Sequence, residues 1–351
     1  MRNMYPFHRA VLVALAVAAL PASSALTGEA ITGPGTIWVT ERTSGSSTVA
    51  AIDAATGESL GITPVGNLPI GITAPVGTNK VYSSDEGADQ VSVIDKDTVT
   101  VTTAIDMGSG SKPHHLMAGR NGRRVYVALF GTNTVGVVDT HLDEKVASLI
   151  VSFHADAKTH AVWITPNGRY LYATNERPSN PTQGTFSKFD VAAGTLLWEH
   201  VVGTRPSEVL VDNDVAYVSV RNEHLIKVYD VGGAAPSFIG QAEANVMPDT
   251  LSLTNDKRTL IVGLRGTPAR MAFIDTETLV TNYLALPGTT TGHQWLSSNG
   301  HVTYIALERP GQIGVIDNRT RSVVTTYPYP NGLALPHGVY FEPSPLNSPD
   351  R

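Results

Sequence analysis

The apolar residues of this chain fall in short runs separated by clusters of Gly, Pro, Asn and Asp. After residue 25 no stretch sustains a 3.6-residue apolar period, so the pattern predicts strands and turns rather than helices. Residues 81–115 contain one complete unit. A run Val81-Tyr82-Ser83-Ser84 turns through Asp85-Glu86-Gly87-Ala88-Asp89 and resumes as Val91-Ser92-Val93-Ile94-Asp95, an alternating segment that ends on a carboxylate. A third run covers residues 99–105, and residues 108–113 then lead into His114-His115.

The run ending in Asp95 recurs six more times, closing on Asp53, Asp139, Asp190, Asp230, Asp275 and Asp317. Successive aspartates are 42, 44, 51, 40, 45 and 42 residues apart, the length of a four-stranded propeller blade. Another strand precedes each copy, at 36–41, 80–85, 125–130, 170–175, 215–220, 259–264 and 302–307, with turn signals such as Pro166-Asn167-Gly168 and Asn299-Gly300 upstream. A short acceptor after a strand bonds turn backbone N–H groups, so the seven aspartates read as structural punctuation.

Val125-Tyr126-Val127 followed by Asn133-Thr134-Val135-Gly136-Val137-Val138-Asp139, a Gly-x-x-Pro turn and a Pro-Asn-Gly hairpin resembles the YVTN-type β-propeller repeat. The resemblance covers residues 36–343 and implies an all-β, seven-bladed propeller of four-stranded blades. It also implies closure by the C-terminal strand, 335–341, which would join the blade begun at the N-terminus and leave no open sheet edge.

Composition refines this picture. A total of 32 Gly and 22 Pro with 16% charged residues suits many tight turns between half-buried strands. Arg2 and Arg9 before an apolar run at 10–20, then Pro21-Ala22-Ser23-Ser24-Ala25, read as a signal peptide over residues 1–25, leaving 26–351 as the propeller. The apolar run is too short to span a bilayer, so no stable membrane insertion is expected after cleavage, and the mature chain is placed in the periplasm or outside the cell. The absence of cysteine excludes disulfides and thiolate-held metals. A net charge of −6, or −8 once Arg2 and Arg9 are removed, argues against a nucleic-acid partner.

Candidate chemistry sits where each innermost strand begins, since these positions crowd the central channel. Aligned on the Pro-x-Gly turn they read Pro69-Ile70-Gly71, Pro113-His114-His115, Thr159-His160-Ala161, Pro206-Ser207-Glu208, Pro248-Asp249-Thr250, Gly292-His293-Gln294 and Pro336-His337-Gly338. Five of the 11 histidines lie here: His114, His115, His160, His293 and His337. Imidazoles converging without thiolate suit a transition metal, with copper favoured, and Glu208 and Asp249 could complete a shell or act as acid and base. Arg42, Arg177, Arg221, Arg265 and Arg309 follow the second strands and could clamp an anionic substrate, with Arg221 and Arg309 the leading candidates, or pair with Glu between blades. Lys112 and Lys158 adjoin the histidines, residues 178–185 could form a lid, and His154 could be a sixth ligand. His141, His200, His224 and His301 fall in other registers and read as surface or packing residues. Ser207 lacks a nucleophile-elbow context.

A His-His pair in one blade, one His a blade later and further His in the last blades is similar to the copper arrangement of nitrous oxide reductase. It also resembles the copper funnel of thiocyanate dehydrogenase and selenium-binding-protein-type thiol oxidases. The five histidines would then be the copper ligands. Without a cupredoxin domain the nitrous oxide reaction itself is not implied, and a haem d1-like tetrapyrrole is a weaker alternative. The leading expectation is copper-dependent redox chemistry on a small, possibly anionic molecule, with a redox partner protein. The alternatives are a non-catalytic binding or surface propeller and a lactonase-like or lyase-like enzyme using Glu208 and Asp249.

Overall fold

The computed structural model describes residues 33–344, apart from Ser44, Ser46 and Leu333; the leader expected at 1–25 lies outside the described residues. Twenty-eight strands, β1 to β28 in chain order, form seven four-stranded antiparallel sheets, the blades of a seven-bladed β-propeller. Among the described residues the helical segments are two 3₁₀ turns, Glu86–Ala88 and Arg221–Glu223. The ring closes as the sequence predicts: β28 (Pro336–Pro343) pairs with β1 (Gly35–Glu41), which continues through β2 (Thr48–Asp53) to β3 (Ser59–Pro64).

Burial departs from the expected half-buried pattern. In β6 (Gln90–Asp95) every residue from Val91 to Ile94 is buried, Ser92 to 1% exposure, so the alternation there does not mark a wet face. Neighbouring blades cover both sides. The core is divided into seven apolar clusters that each straddle two blades, as where Trp38, Val49 and Ala51 pack on Ile72, Val81 and Ile94. The fourth strands, such as β11 (Glu144–Ile150), remain mostly exposed.

The repeated aspartates are turn acceptors. Asp95 Oδ1 accepts the N–H groups of Asp97 and Thr98, and Asp53, Asp139, Asp275 and Asp317 do the same for residues two and three positions on. Asp190 and Asp230 take Ala193 and Gly232.

Blades are also joined by a hydroxyl near the end of the second strand. Ser219 in β17 (Val215–Val220) accepts the Glu208 N–H at 2.8 Å and donates to the Asp249 carbonyl of the next blade at 3.1 Å. Thr174 in β13 (Tyr170–Glu176) links Ala161 N–H at 3.2 Å to the Ser207 carbonyl at 2.7 Å. Thr40 joins Gly338 to Ile70, and Ser84 in β5 (Lys80–Asp85) joins Gly71 to His114. A Thr174→Ala substitution leaves a buried donor and a buried acceptor unpaired and should cost about 1–3 kcal/mol, read as a lower urea midpoint at unchanged slope.

Candidate functional site

Each innermost strand begins with a bulge. In β8 (Pro113–Ala118), Pro113 is opposite Leu129 and Leu116 opposite Val127, so His114 and His115 together face the single residue Ala128. The same surplus places Ser207 and Glu208 against Ser219 in β16 (Pro206–Asp212), and Asp249 and Thr250 against Gly263 in β20 (Met247–Leu253). His160 is the extra residue of β12 (Lys158–Ile164), while Gly292-His293 in β24 (Thr290–Leu296) and His337-Gly338 in β28 are extra pairs. A bulge bends its strand and re-aims side chains. The seven aligned turn positions are therefore seven bulges. Neighbours come so close here that a Cβ on Gly292 would stand 2.6 Å from the His337 carbonyl oxygen, which glycine alone avoids.

On the face where the inner strands start, a cavity of about 310 Å³ opens over this layer. Four arginines line it, Arg42, Arg205, Arg221 and Arg265, together with His114, His160, His293, His337 and Asp249. Beneath it is a constriction of about 10 Å³ bounded by His114, His160, Asp249 and His293 and, deeper, His115 and Glu208. Eight of the nine residues singled out from the sequence thus come together. Arg309 does not: in β25 (Val302–Arg309) Thr290 is opposite Arg309 and Thr291 opposite Leu307, so Glu308 is a bulged residue that is buried while Arg309 is exposed. Arg177 lies beside Asp156 at 3.9 Å, Lys158 donates to the Gly131 carbonyl, and the 178–183 segment is an exposed turn held by Asp156. Arg205, which adopts φ 55°, was not legible as a lining residue; Glu176 holds it at 3.3 Å.

A chain of alternating charges organises the cavity. Asp249, 2% exposed, accepts from Arg221 and Ser207 and lies 3.4 Å from Arg265, which in turn forks onto Glu308 at 3.1 and 3.2 Å. Glu308 also takes Arg42 at 3.0 Å and His337 Nδ1 at 2.7 Å. Burial alone would raise the Asp249 carboxyl, but the Arg221 and Arg265 charges hold it well below the usual carboxylate range. Asp249 is thereby held as the ionised counter-ion of Arg221 and Arg265.

Four of the imidazoles are held toward the neutral form. Burial, reinforced by Arg221 and His115, pushes His114 down to about 3, and burial also takes His160, His293 and His337 well below their ordinary value. His114 Nδ1 donates to the His160 carbonyl at 3.1 Å, and His160 Nδ1 to the Ser207 carbonyl at 2.9 Å. An oxygen that can only accept fixes the proton on Nδ1, so Nε2 carries the lone pair in His114, His160 and His337. Arg221 approaches His160 Nε2 at 3.4 Å. His115 Nε2 lies 3.4 Å from Glu208, while its Nδ1 is buried without a partner among the described residues. The rings pack in tilted couples, His114 against His160 at 4.3 Å and 49° and His293 against His337 at 4.5 Å and 46°. Among the described residues no three His, Asp or Glu side chains gather as a ready-made metal shell.

A family model described as "Lactonase, 7-bladed beta-propeller" matches residues 72–196. Antigen Lp49 of Leptospira interrogans is 26% identical over 136 residues, 35% of this chain and 28% of that protein, so the match spans little more than a quarter of its length. Hydrazine synthase of Kuenenia stuttgartiensis superposes with a TM-score of 0.69 at 18% identity, covering 86% of this chain and 99% of that one. The periplasmic gluconolactonase of Pseudomonas aeruginosa gives 0.68 at 16%, covering 89% and 100%. The dihydro-haem d1 dehydrogenase NirN gives 0.60 at 16%, covering 92% and 78%. Identities this low carry the fold and nothing finer.

Neutral buried imidazoles make acid unfolding specific. A histidine whose folded pKa lies below about 6.5 binds its proton more readily when unfolded, so stability is lost as pH falls from the unfolded value toward the folded one. Asp85, which burial pushes up to about 6, and Glu86, which burial also raises, oppose this, while His200, lowered by burial, adds to it. The melting temperature of chelator-treated protein should therefore fall steadily between pH 7 and pH 5, before ordinary carboxylates titrate, and the fall should be shallower in His114→Gln.

Proposed function

We propose that the chain is an exported, lactonase-like propeller hydrolase that opens a small anionic lactone or ester in the arginine-lined cavity. The observation that carries this reading is the pairing of a cationic vestibule with His114, His160, His293 and His337, below which the constriction is bordered by His115 with Glu208 3.4 Å from its Nε2. Guanidinium groups suit a carboxylate or phosphate on the substrate. Arg221, whose Nε has no partner among the described residues, would bind that anion or the oxyanion formed as the carbonyl is attacked. His115, oriented by Glu208 and bordering the constriction rather than the cavity, would take the proton from an attacking water held in that constriction. The family match over residues 72–196 supports the hydrolytic class, and the leader-like N-terminus together with similarity to a periplasmic gluconolactonase supports export. Among the described residues no helix is long and apolar enough to cross a membrane.

Copper-dependent redox chemistry through His114, His115, His160, His293 and His337, served by a redox partner protein, is the second reading. It is favoured by Nδ1 protons tied to oxygen acceptors, which leave Nε2 lone pairs free as ligands. The donor chemistry fits copper, whose one-electron cycling the propeller would use, but the tilted, closely packed rings would have to separate before three of them met one ion. A tetrapyrrole fits less well. A single benzene ring needs a cavity of about 150 Å³, and a four-ring macrocycle exceeds 310 Å³.

The test is ring opening of gluconolactone and 6-phosphogluconolactone by the mature chain, with metal content measured on the same sample. His115→Ala and Glu208→Gln should lower kcat by about 10²-fold or more, whereas Arg221→Ala should raise KM for the phosphorylated lactone more than for the neutral one. Failure to open any lactone, with copper bound and lost in His114→Ala, selects the second reading; neither activity nor metal returns the funnel to a binding role.

A further inference from the structure

The two sides of the histidine layer differ in what they offer a ligand. Beyond the constriction lies a chamber of about 230 Å³ whose walls include Leu116, Met117, Trp163, Leu253 and Trp295. The vestibule instead presents donors and acceptors side by side. Its donors are guanidinium groups, and two of them are neighbours: the Arg221 backbone N–H donates to the Arg205 carbonyl at 3.0 Å. Arg205 uses Nε on Glu176, and Arg221 uses Nη2 on Asp249, Ser207 and His160. Among the described residues no bond takes the two Nη atoms of Arg205 or Nη1 of Arg221.

The acceptors are imidazole nitrogens. His114, half-buried on the vestibule wall, donates its Nδ1 proton to the His160 carbonyl, so its Nε2 can only accept. That Nε2 has no hydrogen-bond partner among the described residues and is not enclosed. The His160 ring, 4.3 Å from the His114 ring, has Arg221 Nη2 3.4 Å from its own Nε2, so the free lone pair stands beside the guanidinium groups. Charge sets the valence of a ligand. Four guanidinium groups line the vestibule, and the carboxylates paired to them are three, Asp249, Glu308 and Glu176. Glu86, which also acts on Arg42, is offset by Lys112. Four cations on three anions leave one positive charge unmatched.

We infer that the vestibule binds a small hydroxycarboxylate of single negative charge, with its carboxylate on Arg205 and Arg221 and a hydroxyl donated to His114 Nε2. A carboxylate only accepts and matches the guanidinium fork. A simple carboxylate would leave the His114 lone pair facing no donor, and a neutral polyol would leave the surplus charge unmatched. Glycerate is the simplest probe that carries both groups. A benzene ring needs a cavity of about 150 Å³, and glycerate, of similar size, fits within 310 Å³. This binding mode rests on the hydrolase reading for the choice of cavity: opening a lactone leaves a hydroxyl and a carboxylate on one molecule, so the ligand belongs to the product class.

Glycerate, propionate and glycerol are titrated into the mature chain at neutral pH and fixed ionic strength, followed by saturation-transfer NMR, without turnover. Saturable one-to-one binding of glycerate is expected, about five-fold or more tighter than propionate, the equivalent of one hydrogen bond, with no saturation by glycerol. In His114→Phe, which keeps a ring against His160, glycerate should weaken to the level of propionate while propionate is unchanged. Arg205 is exposed and its ion pair with Glu176 lies at the surface, so Arg205→Gln leaves the fold intact. It should weaken both acids about ten-fold, as loss of a charged hydrogen bond does. Wild-type protein that binds glycerate no more tightly than propionate or glycerol overturns the assignment. So does a His114→Phe protein that keeps the preference, or an Arg205→Gln protein that holds both acids as wild type does. Lactone opening without glycerate binding rejects this site alone, and glycerate binding without lactone opening rejects the hydrolase reading alone.

Discussion

Every innermost strand of the ring starts with more residues than its partner can pair, and the site depends on that surplus. In a regular strand His114 and His115 would point to opposite sides; bulged against Ala128, both border the constriction on the axis. The same holds for Ser207 with Glu208 and Asp249 with Thr250. A bulge leaves backbone groups without ladder partners, and the hydroxyls of Thr40, Ser84, Thr174 and Ser219 answer this by taking the N–H of their own blade and holding the carbonyl of the next. The hydroxyl that repairs the local defect by accepting one bond also fixes blade spacing at the funnel by donating another. Gly263 has no hydroxyl to offer there, and unpaired Thr250 Oγ1 lies in the space its side chain would take.

Electrostatics then decides what the crowded side chains can do. Burying Asp249 would be costly for a lone carboxylate, and breaking such a pair leaves an uncompensated charge worth about 3–5 kcal/mol. Arg221 and Arg265 remove that cost, and Glu308 carries the alternation on to Arg42. Burial, and then the nearby cations, oppose protonation of His114, His160 and His337, which are held toward the neutral form. Positive charge in the vestibule is consequently borne by guanidinium groups, which do not titrate in the physiological range, and lone-pair chemistry by imidazoles.

The propeller was legible because its punctuation is local: Asp95 and its six counterparts each bond a turn two or three residues away, and such acceptors recur wherever the turn does. The convergence of His114, His160, His293 and His337 followed from counting positions after those turns. Arg309 misled because its neighbour Arg42 follows a strand that stops at Glu41, whereas β25 runs two residues past the predicted 307, and strand length cannot be read from a Glu-Arg dipeptide. The pairing of Arg205 with Glu176, or of Arg42 with Glu308, joins residues from different blades and has no local signal. The hydroxyl relay had one: Thr40, Ser84, Thr174 and Ser219 occupy equivalent places in their second strands.

The inner strands change character along their length, and this explains why imidazole suits the layer between. Each begins with polar bulge residues among charged neighbours and runs on through Met117, Trp163, Leu253 and Trp295 into a largely apolar channel. A carboxylate at the boundary needs a cation, as Asp249 does, and an aliphatic side chain would leave the arginines facing hydrocarbon. A neutral imidazole donates to a backbone carbonyl on one nitrogen, keeps an acceptor on the other, and offers a flat apolar face for packing. His114 does all three, through the His160 carbonyl, its free Nε2 and the His160 ring at 4.3 Å. The histidine layer thus suits both compartments, and any reaction placed there has a charged approach on one side and a mostly apolar one on the other.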